Sequence, residues 1–131
     1  MIDFKNPSFV KLAEVDNATG VQMVGDFLID EEEIFSSFKG ARDMVIFTNR
    51  RVIAVNVQEI TRKKKECSSL PYSKIQAFSV ETAGTLDRDA ELELWFRGLG
   101  KVRFEFKSQF DVKKFSTFIG KYILWPRLPA A

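Results

Sequence analysis

Near the end of the chain, two short segments alternate strictly between apolar and polar side chains. Their apolar positions are Leu92, Leu94 and Phe96 in the first segment, and Val102, Phe104 and Phe106 in the second. This two-residue period predicts a pair of strands that bury one face and expose the other. Gly98-Leu99-Gly100 between them predicts a three-residue hairpin, so the two strands should be antiparallel neighbours.

The register of this hairpin is predicted by pairing Arg97 with Lys101. That pairing sets the apolar side chains opposite one another, as Phe96 with Val102, Leu94 with Phe104 and Leu92 with Phe106. It turns Trp95 away from the core. It also sets Glu93 against Glu105, which is an unfavourable pair of like charges.

Seven strands and a terminal helix are predicted in all. The strands are residues 33–40, 44–48, 51–57, 62–70, 75–82, 91–97 and 101–107. Residues 111–124 have the period of an amphipathic helix, which can close the open side of a β-sheet core. We therefore expect a mainly β domain, a barrel or sandwich of seven antiparallel strands in two sheets, capped by this C-terminal α-helix.

A short N-terminal helix is predicted ahead of the strands. Asn6 is a favourable N-cap and Pro7 suits the first helical position. Phe9 and Leu12 then share one face at helical spacing, and Gly20 is the predicted end. A helix this short needs a surface to pack against.

Four sequence blocks, taken in their order along the chain, carry a family resemblance. They are residues 42–53 (RDMVIFTNRRVI), 70–75 (LPYSKI), 78–87 (FSVETAGTLD) and 91–95 (ELELW). With the predicted strands and terminal helix, these blocks resemble the bacterial pleckstrin-homology (PH) domain family. The resemblance implies a PH-like domain over residues 31–125. We expect the residues around it to form a helical N-terminal extension over 1–30 and a mobile tail over 126–131. The resemblance also implies a binding or scaffolding role without a reaction, in a ring-like homo-oligomer.

The sequence offers little for catalysis. It contains no histidine and one cysteine, Cys67, which excludes imidazole-based triads and metal sites as well as paired-cysteine motifs. Asp87, Asp89, Glu91 and Glu93 lack the spacing of a calcium loop and suit a solvated strand face. We therefore predict a protein that is not an enzyme, with no catalytic residue, metal ligand or cofactor.

Charge is distributed unevenly along the chain. Residues 1–40 hold three basic and eight acidic side chains, a balance of −5, whereas residues 41–131 hold seventeen basic and ten acidic, a balance of +7. The two parts could attract each other within one chain or between copies. The single cysteine, the charged N-terminus and the lack of a membrane-length apolar run predict a cytoplasmic protein.

An anion-binding site is one candidate function. Lys39 and Arg42 correspond to the first hairpin of PH domains that bind phosphoinositides, although the second arginine of that motif is missing. Arg50 and Arg51, in the next hairpin turn, complete the candidate set. Weak binding of a phosphate head group at a membrane surface is therefore the alternative function. Nucleic acid is not expected as a partner, because the aromatic residues lie mostly on predicted core faces.

The hairpin of residues 44–57 is apolar on both faces. One face carries Val45, Phe47, Val52 and Ala54, and the other carries Met44, Ile46, Ile53 and Val55. Because only one face enters the core, the N-terminal helix or another copy of the protein must cover the second. Those last four residues and Trp95 form the candidate interface. The leading expectation is a cytosolic scaffold domain that self-associates or binds a protein partner.

Overall fold

The computed structural model describes residues 8–41, 43–57, 65–82, 90–107 and 111–124. Its strands are β1 (Ser8–Val15), β2 (Ile34–Lys39), β3 (Asp43–Thr48), β4 (Arg51–Val57), β5 (Lys65–Pro71), β6 (Ile75–Glu81), β7 (Ala90–Phe96) and β8 (Gly100–Phe106). Helices are α1 (Asn17–Val24) and α2 (Val112–Leu124), with 3₁₀ turns at Gly25–Phe27 and Tyr72–Lys74. None of the helices in these ranges has the length and hydrophobicity to span a membrane. The predicted helix start at Asn6 and Pro7, Arg42, residues 62–64 and the predicted tail lie outside the described residues.

The eight described strands belong to one mixed sheet, in the order β5-β4-β3-β2-β1-β8-β7-β6. The expectation of a mainly β chain with a C-terminal helix is confirmed. The prediction of seven antiparallel strands in two sheets was wrong. The additional strand, β1, joins the two halves, because it pairs antiparallel with β2 and parallel with β8.

The segment predicted to be helical forms strand β1. Phe9 pairs with Phe104 and Leu12 with Phe106, so β1 advances three residues where β8 advances two. A β-bulge takes up the extra residue, and Lys11 within it has a φ of 55°. Because of the bulge, the side chains of Phe9 and Leu12 both enter the core. In a regular strand, residues three apart would point to opposite faces.

Helix α1 begins later than predicted, after Asp16. The Asp16 carboxylate accepts a hydrogen bond from the Ala18 N–H at 3.0 Å, which caps the first turn. The Asn17 amide nitrogen donates to the Phe35 carbonyl at 3.1 Å, and the Asn17 amide oxygen accepts from the Ser37 hydroxyl at 3.0 Å. These bonds hold α1 on β2.

The β7–β8 hairpin is present, but its register differs from the predicted one by two residues. Lys101 pairs with Trp95 instead of Arg97, and Phe96 pairs with Gly100. A shift of two residues leaves every side chain on its predicted face, whereas a shift of one would turn them all over. The six alternating apolar side chains are accordingly buried.

Helix α2 closes the core. Phe115 and Ile119 are its buried residues, on the face predicted to be apolar. Phe115 meets Phe47 edge-on with ring centroids 4.7 Å apart, and Phe118 stacks on Phe35 of β2 at 3.6 Å. Aromatic pairs of this kind contribute beyond their buried area, so α2 is a firm part of the domain.

Candidate functional site

The predicted interface on the 44–57 hairpin is buried within the chain. Met44, Ile46, Ile53 and Val55 form a second apolar cluster with Val24 of α1, and none of the four is more than 4% exposed. Additional cover comes from the partly buried side chains of Val15, Met23, Leu28 and Ile34. The N-terminal segment therefore covers the surplus apolar face, and these four residues do not form an open surface.

Trp95 lies on the outer face of β7, where it is partly exposed as predicted. The Nζ of Lys101 lies 5.9 Å from the Trp95 ring centroid, a cation–π distance. Three strands, β2, β1 and β8, separate β7 from β3 in the sheet. The structure therefore does not bring Trp95 together with the buried hairpin residues.

Arg51, predicted to bind anions, is already paired within the chain. Its Nε donates to Glu32 Oε2 at 2.8 Å, and its Nη2 donates to Glu32 Oε1 at 2.9 Å. The same guanidinium donates to the Ser69 hydroxyl at 2.9 Å and to the Phe27 carbonyl at 2.8 Å. Arg51 is therefore a structural residue that fastens the segment after α1 to β4, and it is not available to a ligand.

Glu32 is a buried carboxylate with a full set of hydrogen bonds. Besides Arg51, the Thr48 hydroxyl donates to it at 2.7 Å and the Ile29 N–H donates at 3.1 Å. Burial alone would raise the pKa of Glu32, but the hydrogen bonds from Arg51, Thr48 and Ile29 outweigh burial and lower it. Tyr72 donates to the Thr48 carbonyl at 2.7 Å, and burial, with the charge of Glu32, raises the pKa of its phenol. These groups satisfy one another's hydrogen-bonding capacity, so they form a structural cluster.

The other two candidates among the described residues, Lys39 and Arg50, do not converge. Lys39 is exposed at the end of β2, beside the start of β3, whereas Arg50 is exposed in the turn after β3. The 6 residues of β3 separate them, roughly 20 Å of extended chain. Lys39 and Arg50 therefore form no common site.

The acidic residues of β7 are engaged by basic residues of β8. Arg103 donates to both carboxylate oxygens of Glu91, each at 2.8 Å, and to Glu105 at 3.2 Å. Lys101 pairs with Glu93 at 3.1 Å. Among the residues that the structure describes, no group of three or more His, Cys, Asp and Glu side chains could hold a metal ion. Glu91 and Glu93 therefore serve cross-strand ion pairs.

A cleft of about 600 Å³ opens where β5 turns into β6, beside the β7–β8 hairpin. Its apolar lining comes from Leu70, Ile75, Phe96 and Leu99. Lys74 and Arg97 add two positive charges, and within the described part of the chain neither side chain forms an ion pair. We call this the basic cleft. Sequence reasoning missed it, because its residues come from two turns that only the fold brings together.

The segment that covers the hairpin is itself apolar on its outer side. Val21 and Phe27 are each 53% exposed, and Ile29 is 61% exposed. The exposed carboxylates of Asp26 and Asp30 flank Phe27 and Ile29 in the sequence. We call the outer side of residues 21–30 the apolar–acidic surface. Its signal in the sequence is the run of acidic residues around two large apolar ones.

The apolar–acidic surface and the basic cleft are neighbours. One guanidinium, that of Arg51, donates both to the Phe27 carbonyl and to the Ser69 hydroxyl, and Ser69 lines the cleft. The Tyr72 N–H donates to the Arg50 carbonyl at 3.1 Å, which brings the β3–β4 turn to the same place. The two surfaces thus meet at the Arg51 guanidinium, at the end of β3 away from Lys39.

The amino-acid sequence is similar to one protein family and to two proteins of Bacillus subtilis (strain 168). The model of the bacterial PH domain family matches residues 3–123. The uncharacterized protein YjqA of Bacillus subtilis (strain 168) is 45% identical over 92 residues, which cover 66% of this chain and 74% of YjqA. The uncharacterized protein YozO of the same organism is 29% identical over 109 residues, which cover 83% of this chain and 94% of YozO.

Solved structures from bacteria share the fold. A DUF1696 family protein with a pleckstrin-homology domain from Shewanella loihica PV-4 matches with a TM-score of 0.73 and 37% identity, over 87% of this chain and 98% of that one. A pleckstrin homology domain from Shewanella amazonensis SB2B matches with a TM-score of 0.61 and 38% identity, over 85% and 90% of the two chains. Because the family model spans most of the sequence and these relatives share its fold, the chain belongs to the bacterial PH domain family.

Proposed function

We propose that this chain is a non-catalytic scaffold domain that self-associates in the cytosol through its apolar–acidic surface. The observation that carries the proposal is the exposure of Val21, Phe27 and Ile29 on a segment whose inner side is already packed on the domain. Large apolar side chains grouped on a short exposed stretch are typical of protein-interaction surfaces.

The segment cannot turn these side chains inward. Its inner side is occupied by Val24, Met23 and Leu28, which pack on the β3–β4 hairpin. Asn17 anchors its beginning to β2, and Glu32 anchors its end to Arg51. Among the described residues nothing else packs on the outer side, which leaves it to a second molecule.

The gain available from covering this surface is substantial. Full burial of one large apolar side chain is worth about 1.5–3 kcal/mol, so three side chains that are half exposed offer roughly 3 kcal/mol together. Association costs at least about 4 kcal/mol of lost translational and rotational freedom. The three side chains can thus anchor an interface, but additional contacts are needed to hold it.

The remaining function classes have less support from the structure. The carboxylates of Glu32, Glu91 and Glu93 are paired with basic side chains, which leaves them poorly suited to proton transfer. Anion binding by Lys39 and Arg50 lacks a convergent geometry, since they lie at opposite ends of β3.

Light scattering coupled to size exclusion, at low and high salt, tests self-association. We expect a discrete oligomer in both conditions, because its apolar part resists salt. The double variant Phe27→Ser/Ile29→Ser should run as a single chain. The matched control is Val10→Ser, which removes an apolar side chain that is 48% exposed on β1 and should leave the oligomer intact. A wild-type protein that runs as a single chain at every concentration would overturn the proposal.

A further inference from the structure

We infer that the basic cleft binds a short acidic segment of a partner protein, which inserts one apolar side chain into the cleft and sets its carboxylates beside Lys74 and Arg97. The proposed self-association uses the outer side of residues 21–30 and assigns no ligand to the cleft. The inference therefore goes beyond that function, because it adds a second binding site and the chemical class of its partner.

Two cations are neighbours at the cleft and have no counter-ion. Ile75 pairs with Phe96 across β6 and β7, so the next residues outward on the two chains, Lys74 and Arg97, flank the end of one antiparallel pair. Both side chains are exposed, and neither forms an ion pair with another residue that the structure describes. Like charges at neighbouring positions of a sheet are unfavourable, so an anion that binds between them relieves the repulsion.

The chain balances another pair of like charges with a residue of its own. Glu91 and Glu105 lie opposite each other on β7 and β8, and the Arg103 guanidinium donates to both carboxylates, at 2.8 and 3.2 Å. The described residues supply no equivalent counter-ion to the two cations of the cleft. This contrast carries the inference, because the carboxylates of a ligand would do at the cleft what Arg103 does on the hairpin.

A third cation lies near the same turn. Lys121 of α2 is exposed, and its Nζ is 5.4 Å from the ring centroid of Tyr122. The Tyr122 ring is 6.5 Å from the ring of Tyr72, which belongs to the same 3₁₀ turn as Lys74. Several cations around one turn favour a ligand that carries more than one carboxylate.

The apolar lining of the cleft suits a single side chain. Leu70 and Phe96 are only 2% and 3% exposed and form a closed floor, whereas Leu99 is 45% exposed and forms one wall. A small-molecule site buries about 70–90% of its ligand, and a cleft with one exposed wall does not enclose a ligand to that extent. A peptide needs only one apolar anchor there, because its charged residues bind at the rim.

The backbone beside the cleft is poorly suited to the addition of another strand. Strands β5 and β6 are the two ends of the sheet, so each has one edge without a partner among the described strands. Pro71 at the end of β5 has no N–H, and a bulge between Ile75 and Ala77 interrupts the start of β6. Both features protect a sheet edge from pairing. The ligand is therefore held through its side chains, and a short segment suffices.

The surroundings of the cleft favour a peptide over an anionic membrane. The apolar–acidic surface adjoins the cleft at Arg51 and carries the exposed carboxylates of Asp26 and Asp30. A flat anionic bilayer would meet these carboxylates together with the cations, whereas a short peptide can lie on the cationic side alone. The same carboxylates repel the acidic residues of the peptide and so restrict the direction in which it lies.

Fluorescence anisotropy with labelled five-residue peptides tests the inference. The probe is Glu-Asp-Phe-Asp-Glu, and two comparison peptides replace Phe by Ala or all acidic residues by Lys. We expect saturable binding of the probe that weakens with salt, and a dissociation constant at least ~10-fold higher for the Ala peptide. The variant Lys74→Glu/Arg97→Glu should bind the probe at least ~10-fold more weakly and should bind the Lys peptide instead.

Two single variants separate the cleft from the general charge of the protein. Lys74→Glu sets a carboxylate beside Arg97, so it should lose affinity for the probe although its urea midpoint is no lower than that of wild type. The control is Lys39→Glu, the same change of charge at the opposite end of β3, which should bind the probe as wild type does. A wild-type protein that does not bind the probe, or equal losses of affinity in these two variants, would refute the inference.

Two further measurements distinguish this inference from its alternatives. Co-sedimentation with phosphatidylglycerol vesicles that requires Lys74 and Arg97, without binding of the probe, would replace the peptide by a membrane surface. The Phe27→Ser/Ile29→Ser variant should bind the probe as tightly as wild type, because those residues lie outside the cleft. A wild-type protein that is a single chain and binds the probe refutes the proposed function alone, whereas an oligomer that does not bind the probe refutes this inference alone.

Discussion

Glu32 and Arg51 form a bidentate ion pair whose carboxylate is completely enclosed. The side chain of Glu32 is 0% exposed and that of Arg51 is 20% exposed, with N···O distances of 2.8 and 2.9 Å. The pair connects the loop before β2 to the first residue of β4. Because that loop follows Phe27 and Ile29, the same ion pair positions the apolar–acidic surface.

The first prediction concerns the loss of this ion pair. Arg51→Met leaves the Glu32 carboxylate buried without its cation, and breaking a buried pair in this way costs about 3 kcal/mol of the free energy of unfolding. Urea unfolding measures the change. The control is Arg50→Met, since Arg50 is the exposed neighbour and its loss should change the free energy by less than about 0.5 kcal/mol. Equal effects of the two substitutions would contradict a structural role for Arg51.

A second prediction follows from the lowered pKa of Glu32. The ordinary value for a glutamate is 4.5, and the hydrogen bonds of the folded state hold the pKa of Glu32 below it. The stabilisation is therefore complete above the unfolded-state value and is lost as the pH falls toward the folded-state value. We expect the free-energy difference between wild type and Glu32→Gln to be largest at neutral pH and to shrink below about pH 4.5.

Urea unfolding at a series of pH values measures that difference. Glu33→Gln is the matched control, because Glu33 is the next residue and is exposed. Its free-energy difference from wild type should stay small throughout. A Glu32→Gln difference that does not change with pH would show that the charge of the carboxylate adds nothing to stability.

The regular parts of the fold could be predicted from residue periods. The β7–β8 hairpin alternates cleanly, the β3–β4 segments are continuous apolar runs rich in β-branched residues, and α2 has a clear apolar stripe. What the period could not supply was the register of β7 on β8. A shift of two residues leaves the same side chains buried, so Lys101 opposite Trp95 and Lys101 opposite Arg97 satisfy the pattern equally well.

Strand β1 could not be predicted, because its bulge gives the apolar side chains the same spacing as one face of a helix. Phe9 and Leu12 are three residues apart and point the same way, as they would in a helix. In the structure the same relation arises from one extra residue in the strand, at Lys11. Only the pairing with β8 distinguishes the two cases, and β8 lies about ninety residues later in the chain.

The role of Arg51 was equally hidden from the sequence. An arginine in a hairpin turn is as compatible with an anionic ligand as with an internal carboxylate. The segment before β2 offers three consecutive candidates, Glu31, Glu32 and Glu33, and the backbone there decides which one is buried. Glu31 has a φ of 65°, and this turn directs Glu32 inward. A left-handed glutamate leaves no signature in the sequence, whereas glycine, asparagine or aspartate would suggest one.

A third prediction concerns two carboxylates that face each other across the last hairpin. Glu91 and Glu105 are direct cross-strand neighbours, and Arg103 donates to both. Arg103→Gln should lower the free energy of unfolding by about 1 kcal/mol, since the like charges then repel in a partly exposed site. Adding Glu105→Gln to that variant should recover part of the loss. Lys101→Gln, which removes an exposed pair with Glu93, should cost less than about 0.5 kcal/mol.

A double-mutant cycle on Arg103 and Glu105 isolates the interaction between them. Urea midpoints for the two single variants and the double variant give the coupling free energy. We expect the two effects to be non-additive, because Arg103 screens the repulsion that Glu105 creates. Additive effects would mean that Arg103 stabilises the hairpin through its pair with Glu91 and its packing, and not through Glu105.

The last prediction compares two helical glycines whose surroundings differ. Gly20, which the sequence suggested as the end of a helix, lies buried inside α1, where an added Cβ would collide with the Ser37 hydroxyl. Gly120 lies inside α2, where the nearest atoms to an added Cβ are at 4.0 Å, an ordinary contact. Alanine normally stabilises a helix over glycine by about 1 kcal/mol, so Gly120→Ala should stabilise the protein by up to that amount.

Gly20→Ala should have the opposite sign. The collision pushes α1 away from β2 and disturbs the hydrogen bond from Ser37 to Asn17, at a cost of about 1–3 kcal/mol that exceeds the gain in helix propensity. Thermal unfolding of both variants beside wild type gives the two signs directly. Because α1 carries Val21 and leads into Phe27, the shift should also weaken self-association, while Gly120→Ala leaves it unchanged. If both substitutions stabilise the protein, the Ser37 hydroxyl rotates away at little cost or α1 shifts on β2, and the steric argument for Gly20 is refuted.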